Sequence, residues 1–592
     1  MNSEIMARVE ALRAEMKRAG IYATIIPHVD PHQSEYIADH WQARRWLSGF
    51  TGSAGDLVIT VDKALLWTDS RYFLQAADQL ADTPFELMKD GLADTPSIEQ
   101  FLSTNVPAGE TVGIDGMLFT HSAVEKLRHT LQRHAIKLTT NFDPIATIWT
   151  DRPALPTDRI IIHDKKYAGR SAADKITDIL DEVSQEGADS LLLAALDEIA
   201  WVLNIRSTDV PCNPVVTSFL YISPEGSTLF VDSAKLSPRV TDHLKEAGVS
   251  TAPYESIIPF LSELNGGTVL LDENKIAERL YESLKCRHIN GKSPVALAKA
   301  QKNDTQIDGV HDAMKRDGAA MVKSLIEIER KMRAGEKLTE MGVAEILYNY
   351  RSASDMFFDI SFETIAGYGP HGAIVHYDPT PDTDAEVKPE GLLLIDSGAQ
   401  YYDGTTDLTR TICMGTPTAE EKKDFTLVMK GHIALATAIY PEGTRGGQLD
   451  ALARQFLWKN GLSYLHGTGH GVGHFLNVHE GPQSIRLNDV PTPLMPGMIT
   501  SNEPGVYREN VHGIRCENLV LTVPAFETEF GHFLKFETLT LCPFDRSLFD
   551  LSIMTDEEII WVNDYHRMVY DRLSPLLSEA ECKWLEQATK PL

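Results

Sequence analysis

The residues able to do chemistry crowd into one stretch of this 592-residue chain. The run Gly391-Leu-Leu-Leu-Ile-Asp396-Ser-Gly-Ala-Gln-Tyr-Tyr-Asp403-Gly404-Thr-Thr-Asp407 sets two carboxylates, Asp396 and Asp407, eleven residues apart. An apolar strand delivers the first, Asp403-Gly404 turns the chain, and a returning strand carries the second. Antiparallel pairing brings two such residues within the width of one site. Apolar strand surroundings do not tolerate an unpaired carboxylate, so Asp396 requires a cation or strong donors. Further on, His466-Gly-Thr-Gly-His470-Gly-Val-Gly-His474 leads to His479-Glu480-Gly-Pro482, so that four of the chain's 20 histidines fall close together. The intervening glycines let the backbone approach a site closely. Glu503 and Glu517 follow, fourteen residues apart, across a second strand–turn–strand pattern. Singly, Asp396 reads as a turn residue, Asp407 as a surface carboxylate and the glycine–histidine run as a solvated loop. Jointly, two Asp, two Glu and His470 make an oxygen-rich donor set with one imidazole. It suits a pair of hard or borderline divalent ions such as Mn²⁺, and fits neither a cysteine-based zinc site nor a Ca²⁺ loop. Two such ions about 3.5–4 Å apart share a water, lower its pKa and stabilise both sides of a hydrolytic transition state.

Several elements must position these groups. Ile5, Val9, Leu12 and Met16 mark one face of a first helix, stopped by Gly20. Ile21–Pro27 reads as a buried strand, and GDLVITV and KALLWTDS as two strands about a tight Asp62-Lys63 turn. After the polar, proline-rich stretch Thr150–Arg159 the same grammar returns. SLLLAAL reads as a strand, DEIAWVLNI as a helix, and TSFLYISPEGSTLFVDS as two strands. The endings Leu65-Leu66-Trp67-Thr68-Asp69-Ser70 and Thr228-Leu229-Phe230-Val231-Asp232-Ser233 match in pattern, which points to an internal duplication. From Gln301 the spacing of Met314, Met321, Leu325, Ile328 and Met332 predicts a long amphipathic helix closed by Gly335, its Met stripe read as core. A helix over Leu338–Tyr350, strand-rich sequence to about Cys542 and a helical tail with a Ser578/Glu581 capping box complete the chain. The expected division is 1–155, 156–305, 306–545 and 546–592.

Composition narrows the function. Lys plus Arg number 55 against 84 Asp plus Glu, a formal charge of −29. So acidic a surface repels phosphate backbones and anionic membranes, so neither a nucleic-acid nor a membrane role is expected. Six cysteines without a C-x-x-C pair read as reduced thiols of a cytoplasmic protein. The N-terminus shows no apolar signal-peptide region, and no run approaches a membrane span. Arg44 and Arg45 read as surface ion-pairing residues.

From Gln301 to about Cys542 the chain resembles the metal-dependent aminopeptidases of pita-bread fold, which include methionine aminopeptidase, prolidase and Xaa-Pro aminopeptidase. GAIVHY, LLLIDSGAQYYDGTTDLTRT, HGTGHGVGHFLNVHEGP, EPG and GIRCEN look specifically like aminopeptidase P. RRWLSGFTGSAG and LDEIAWVLNIRSTDVPCNP look like its long, three-domain form. The resemblance implies two related N-terminal α/β domains, a C-terminal pita-bread (α+β) catalytic domain and a short helical extension. It also implies roles. Asp396 holds one metal, Asp407 and Glu517 bridge both, and His470 and Glu503 complete the second. The ions are Mn²⁺ foremost, with Zn²⁺ or Co²⁺ as alternatives. A hydroxide between them attacks the carbonyl before proline, with Glu503 as general base. His376, His466 and His479 surround the substrate, stabilise the oxyanion and move protons. Arg515 and Tyr507 support the site. His474 departs from the pattern; four residues after His470 it is an alternative ligand, and it reads foremost as a residue that packs against or supports the ligands. The implied reaction removes one residue from peptides with proline second, in a homodimer. A prolidase, a non-catalytic scaffold and a metal-independent creatinase-like enzyme are the rival readings.

Overall fold

The computed structural model describes residues 2–592, which form two compact units. One runs through Asp164 and resumes over Arg170–Ala296; the other comprises Lys165–Gly169 and Leu297–Leu592. The first unit opens with the expected helix, Asn2–Ala19, burying Ile5, Val9, Leu12 and Met16 and ending at Gly20 with φ +68°. Its first sheet is built outward from Ala23–Ile26. On one side lie antiparallel Asp56–Thr60, then antiparallel Ala64–Thr68, then parallel Glu86–Lys89. On the other side lie parallel Thr111–Gly113 and parallel Lys137–Thr139. The second sheet is built the same way from Ser190–Leu193. Antiparallel Phe219–Ile222 and Ser227–Phe230 and parallel Val249–Ala252 lie on one side, parallel Thr268–Leu271 and Arg287–Asn290 on the other. The two six-stranded sheets thus agree in order and in the sense of every pairing. That agreement relates the two α/β halves of this unit more firmly than their matching sequence endings. Arg44 departs from its surface reading. It is buried, its guanidinium set on the Gly52 carbonyl and over the Phe50 ring, while Arg45 is exposed.

The second unit begins on the helix Asp304–Ala334, started by an Asn303/Gln306 capping box and closed by Gly335 at φ +67°. The helix Glu340–Ser352 packs beside it, with Met321, Leu325 and Ile328 facing Val343, Ile346 and Leu347. Two buried charges fix this pair of helices. Arg351 donates to both Asp317 oxygens at 2.8 and 3.1 Å, and Tyr401 donates to the same carboxylate at 3.0 Å. Four sheets follow, three of which carry the site's strands. Ile365–Tyr368, Leu392–Ser397 and Leu408–Cys413 form an antiparallel ladder. A six-stranded sheet includes Ile499–Asn502 and Asn518–Thr528, and Gly505–Arg508 pairs with His512–Arg515.

Where the sequence pattern suggests continuous strands, the chain inserts two helices, Ala419–Ala436 and Gly446–Trp458. The first is covered nearly all round, from Asp424 to Ile433 without a break. Burial on every face erases the 3.6-residue alternation by which a helix is recognised. The helix Asp556–Leu573 packs onto this core through Val562, Tyr565 and Val569.

Two buried histidines join these elements. Asn518 Nδ2 lies 3.3 Å from His432 Nε2, and the Phe544 N–H donates to His566 Nε2 at 3.1 Å. Both rings therefore serve as neutral acceptors. Burial, and then the Arg410 guanidinium, push each of them down to about 3. An unfolded chain titrates its histidines near pH 6.5, so between about pH 6.5 and about 3 it binds more protons than the fold does. Stability from these groups is complete above pH 6.5 and drains away as pH falls, by about 1.4 kcal/mol per histidine per pH unit. Urea denaturation between pH 7.5 and 5 should show the second unit weakening, with a flatter slope in His566→Gln; equal slopes would contradict this. Separately, Asp317→Ala leaves Arg351 buried without its carboxylate and should cost ~3–5 kcal/mol in the same assay.

Candidate active site and metal centre

Asp396 ends the apolar strand Leu392–Ser397, where it stands opposite Thr409 on the returning strand. Asp407 lies just before that strand, Leu408–Cys413, not within it. The intervening chain leaves to form the short strands Ala399–Tyr401 and Gly404–Thr405 of another sheet. Gly398 allows this departure, since a Cβ there would overlap the Thr406 carbonyl oxygen.

The two glutamates come from one interrupted hairpin. Asn502 pairs with Asn518 in the six-stranded sheet, and Gly505 pairs with Arg515 in the two-stranded one. Glu503-Pro504 and Cys516-Glu517 lie in the gap between the ladders. Proline brings no N–H to the break, and the Cys516 N–H reaches the Pro504 carbonyl at 3.3 Å. The Glu503 N–H donates instead to Thr468 at 2.8 Å, and the Glu517 N–H to Thr409 at 3.1 Å. Both carboxylates are thereby released from the sheet face without orphaning their backbone.

His470 lies on the short strand Gly469–Gly471, beside Ile499–Asn502. A Cβ on Gly469 would overlap the Ser501 carbonyl oxygen, so glycine permits this approach. Nδ1 of His470 sits 2.9 Å from the Gly471 carbonyl, which fixes its proton there and leaves Nε2 as a lone pair. That Nε2 lies 3.5 Å from Asp407 and 3.4 Å from Glu503. Donor atoms of Asp407, His470 and Glu517 all fall within 4.8 Å of one another. The ring of His479 stands edge-on to that of His470, centroids 4.4 Å apart. His466 Nε2 accepts from the Tyr507 hydroxyl at 2.8 Å; that oxygen in turn accepts from Arg515 at 2.8 Å. Arg515 also donates to Asp396 Oδ2 at 2.6 Å. His376 follows the turn Gly369–Ala373, whose Gly372 lies against the backbone of Gly513 near the base of the Arg515 hairpin. His474 is buried and stands outside the Asp407–His470–Glu517 cluster.

Electrostatics decide what this constellation needs. Burial, followed by the fields of Asp396 and Glu503, holds the Asp407 carboxyl well above its usual range. Burial and the fields of Asp407 and Asp396 do the same to Glu517. Burial pushes Glu503 up to about 7, against the opposing pull of Arg515. Four carboxylates face a single guanidinium, leaving more negative charge than one dication neutralises. Asp396 Oδ1 is buried without a hydrogen-bond partner, and such an acceptor is costly unless a cation takes it. The donor set, the orphaned oxygen and the His470 tautomer fit divalent metal ions. The contrast is the other cluster of metal-type residues among those described, His121, Glu125 and Glu278. There Arg128 reaches both carboxylates and supplies the positive charge itself.

Several supporting residues escaped the motif reading. Thr409 donates to Glu517 at 2.7 Å. Ser501 donates to Glu503 at 3.0 Å and accepts the His470 N–H at 2.9 Å. Arg410 holds the Glu517 carbonyl at 2.6 Å and reaches Tyr565 on the helix Asp556–Leu573 at 2.9 Å. Thr409 and Arg410 lie inside the quoted run, but only the tertiary contacts show what they hold.

Comparison with known proteins agrees with this architecture. Residues 308–524 match the model of metallopeptidase family M24, and 532–592 that of the C-terminal region of peptidase M24. Residues 8–146 and 151–306 each match a creatinase/prolidase N-terminal domain. The chain is 43% identical to Aminopeptidase P2 of Arabidopsis thaliana, over 97% of this chain and 86% of that one. It is 42% identical to a probable Xaa-Pro aminopeptidase P of Laccaria bicolor, over 99% and 93%. The crystal structure of X-prolyl aminopeptidase from Caenorhabditis elegans, described as a cytosolic enzyme with a di-nuclear active site, superposes with a TM-score of 0.96. The match is at 34% identity over 99% of this chain and 100% of that one. With two related α/β domains ahead of a pita-bread catalytic domain, this chain is a hydrolase belonging to metallopeptidase family M24.

Proposed function

We propose that the protein is a dinuclear metal-dependent Xaa-Pro aminopeptidase, releasing the first residue of peptides with proline second. The observation that carries this reading is the cluster of buried Asp396, Asp407 and Glu517, part-buried Glu503 and His470, short of positive charge, in a chain similar end to end to Xaa-Pro aminopeptidases. Asp396, Asp407, His470, Glu503 and Glu517 are the residues that would hold two divalent ions, with Mn²⁺ our first choice. When bound, such ions activate water as a nucleophile and polarise the peptide carbonyl.

The chain's own groups supply the rest. Glu503, gripped by the Ser501 hydroxyl, takes the proton of the attacking water and returns it towards the leaving nitrogen. His376, His466 and His479 surround the scissile carbonyl, orient it and move protons as the oxyanion forms. Tyr507, between His466 and Arg515, keeps the His466 Nε2 supplied with a hydrogen bond while Arg515 steadies Asp396. An Xaa-Pro bond is a tertiary amide with no N–H and a fixed φ at proline. A site that offers no acceptor for that missing proton suits it. The free α-amine of the first residue is drawn to the acidic cluster, which favours removal of a single residue. We assign the protein to the cytoplasm as a homodimer; among the described residues no helix is long and apolar enough to cross a membrane.

Chelator-stripped protein should release no arginine from Arg-Pro-Pro and should recover on addition of Mn²⁺, with Arg-Pro and Arg-Ala-Ala cleaved far less. Preferential cleavage of Arg-Pro would make it a prolidase, and no metal-restored release from any of the three would refute the proposal. Glu503→Gln should lower kcat by about 10²–10⁴-fold through loss of the proton acceptor. Because the carboxylates and imidazoles act unprotonated, activity should fall as pH drops below neutral; a maximum at pH 5 would contradict the assignment.

A further inference from the structure

A closed ring of buried polar groups lies behind the candidate site and takes no part in the mechanism above. It starts on the helix Gly446–Trp458, where Asp450 and Arg454 face the same side, one turn apart. Arg454 spends each arm of its guanidinium. Nε donates to Asp450 Oδ2 at 2.6 Å, Nη1 to the Tyr464 carbonyl at 2.6 Å and Nη2 to the His466 carbonyl at 2.8 Å. Its plane also lies 3.9 Å from the centre of the Tyr464 ring. The Thr468 hydroxyl donates to Asp450 Oδ1 at 2.5 Å, and the Tyr464 hydroxyl lies 2.6 Å from the same threonine oxygen. Asp450, Arg454, Tyr464 and Thr468 are all at most 2% exposed.

The ring has two outlets, and both lead to proposed catalytic groups. The first is His466. Its carbonyl is held by Arg454 and its ring rests on Tyr464, centroids 4.8 Å apart, while Nε2 meets Tyr507. The second is Glu503, whose N–H donates to the carbonyl of Thr468 at 2.8 Å. Between these outlets the chain runs Gly467-Thr468-Gly469, a sequence with little conformational preference of its own. Its shape is imposed from behind, by a guanidinium fork that accommodates two carbonyls and a carboxylate in one plane.

We propose that Asp450, Arg454 and Thr468 are positioning residues that set His466 against Tyr507 and set the Glu503 backbone in register with it. They touch neither substrate nor metal and act only through these two groups. The inference rests on the roles given to His466 and Glu503 above. It predicts that turnover falls while substrate and metal binding are largely kept, because Asp396, Asp407, His470 and Glu517 are anchored elsewhere and the Glu503 carboxylate, the fifth proposed metal holder, is gripped by Ser501.

The test compares Mn²⁺-loaded wild type with Thr468→Val, Thr468→Ser and Arg454→Lys, with exposed Lys583→Ala on the last helix, Glu579–Ala588, as control. Kinetics on Arg-Pro-Pro, metal stoichiometry, melting temperature and crystal structures are recorded for each. Valine keeps the shape of threonine and puts a methyl group in place of the hydroxyl that joins Asp450 to Tyr464. Thr468→Val should lower kcat by about 10–100-fold with KM within about twofold and both ions retained. Serine should restore most of the loss. Arg454→Lys, which keeps the charge and loses the fork, should behave like valine. A Thr468→Val enzyme that turns over within about twofold of wild type overturns the proposal. So does one whose loss comes with lost metal or a failed fold, when Arg454→Lys shows the same. If the wild type releases nothing from Arg-Pro-Pro, the functional reading falls by itself. The crystal structures then decide, with the His466–Tyr507 separation lengthened in Thr468→Val supporting the positioning role and unchanged overturning it.

Discussion

Repulsion among four carboxylates, three of them buried and Glu503 part-buried, is the constraint around which the second unit is arranged. Asp396, Asp407, Glu503 and Glu517 each feel at least one of the others, and desolvation amplifies every such term. A fold would shed such a cluster unless something repaid it. Arg515 repays part, through its contact with Asp396, and the remainder calls for divalent cations. Much of the surrounding structure serves to keep these groups from relaxing apart. Thr409 and Ser501 grip individual carboxylate oxygens, and Arg410 holds the backbone at Glu517.

The architecture meets this demand by interrupting regular structure where the site is. The hairpin that carries Glu503 and Glu517 changes sheets at those residues, and the Asp396–Asp407 segment leaves one sheet for another before returning. A continuous ladder would alternate side chains between two faces and point only some of them inward. At the hairpin's break the freed N–H groups of Glu503 and Glu517 find carbonyls on neighbouring segments, those of Thr468 and Thr409. The site is thus assembled from strand ends, and its precision depends on the segments behind them. The Asp450–Arg454 pair and the helix Asp556–Leu573, through Tyr565 and Arg410, are two such supports.

The first unit follows a different logic. Its two sheets share one connectivity, and each buries alternating apolar strands under helices. The first has Leu57, Ile59 and Leu66 against Ile5, Val9 and Leu12, and the second has Phe219, Phe230 and Val269 against Ile257 and Leu261. Its His121–Glu125–Glu278 cluster includes its own arginine. Acidic residues near histidine are therefore insufficient to mark a metal site; the balance of charge around them is what differs between the two units.

Sequence alone was sufficient for whatever depends on residue type and local spacing. The donor set and its oxygen-rich character, the helix ended by Gly20, the long helix ended by Gly335 and the paired strands of both α/β halves all follow from local chemistry. So does the Ser578/Glu581 capping box. Tertiary structure alone decided what depends on partners distant in the chain. The helix Ala419–Ala436 is hidden in the sequence because contacts on all sides remove its periodicity. Arg44 reads as a surface charge yet is buried, and Tyr507 gains its place only when His466 and Arg515 close on it from both sides. The physical reason is common to these cases. A side chain's type fixes what it can donate, accept or bury, but its charge balance is a sum over neighbours that only folding brings together.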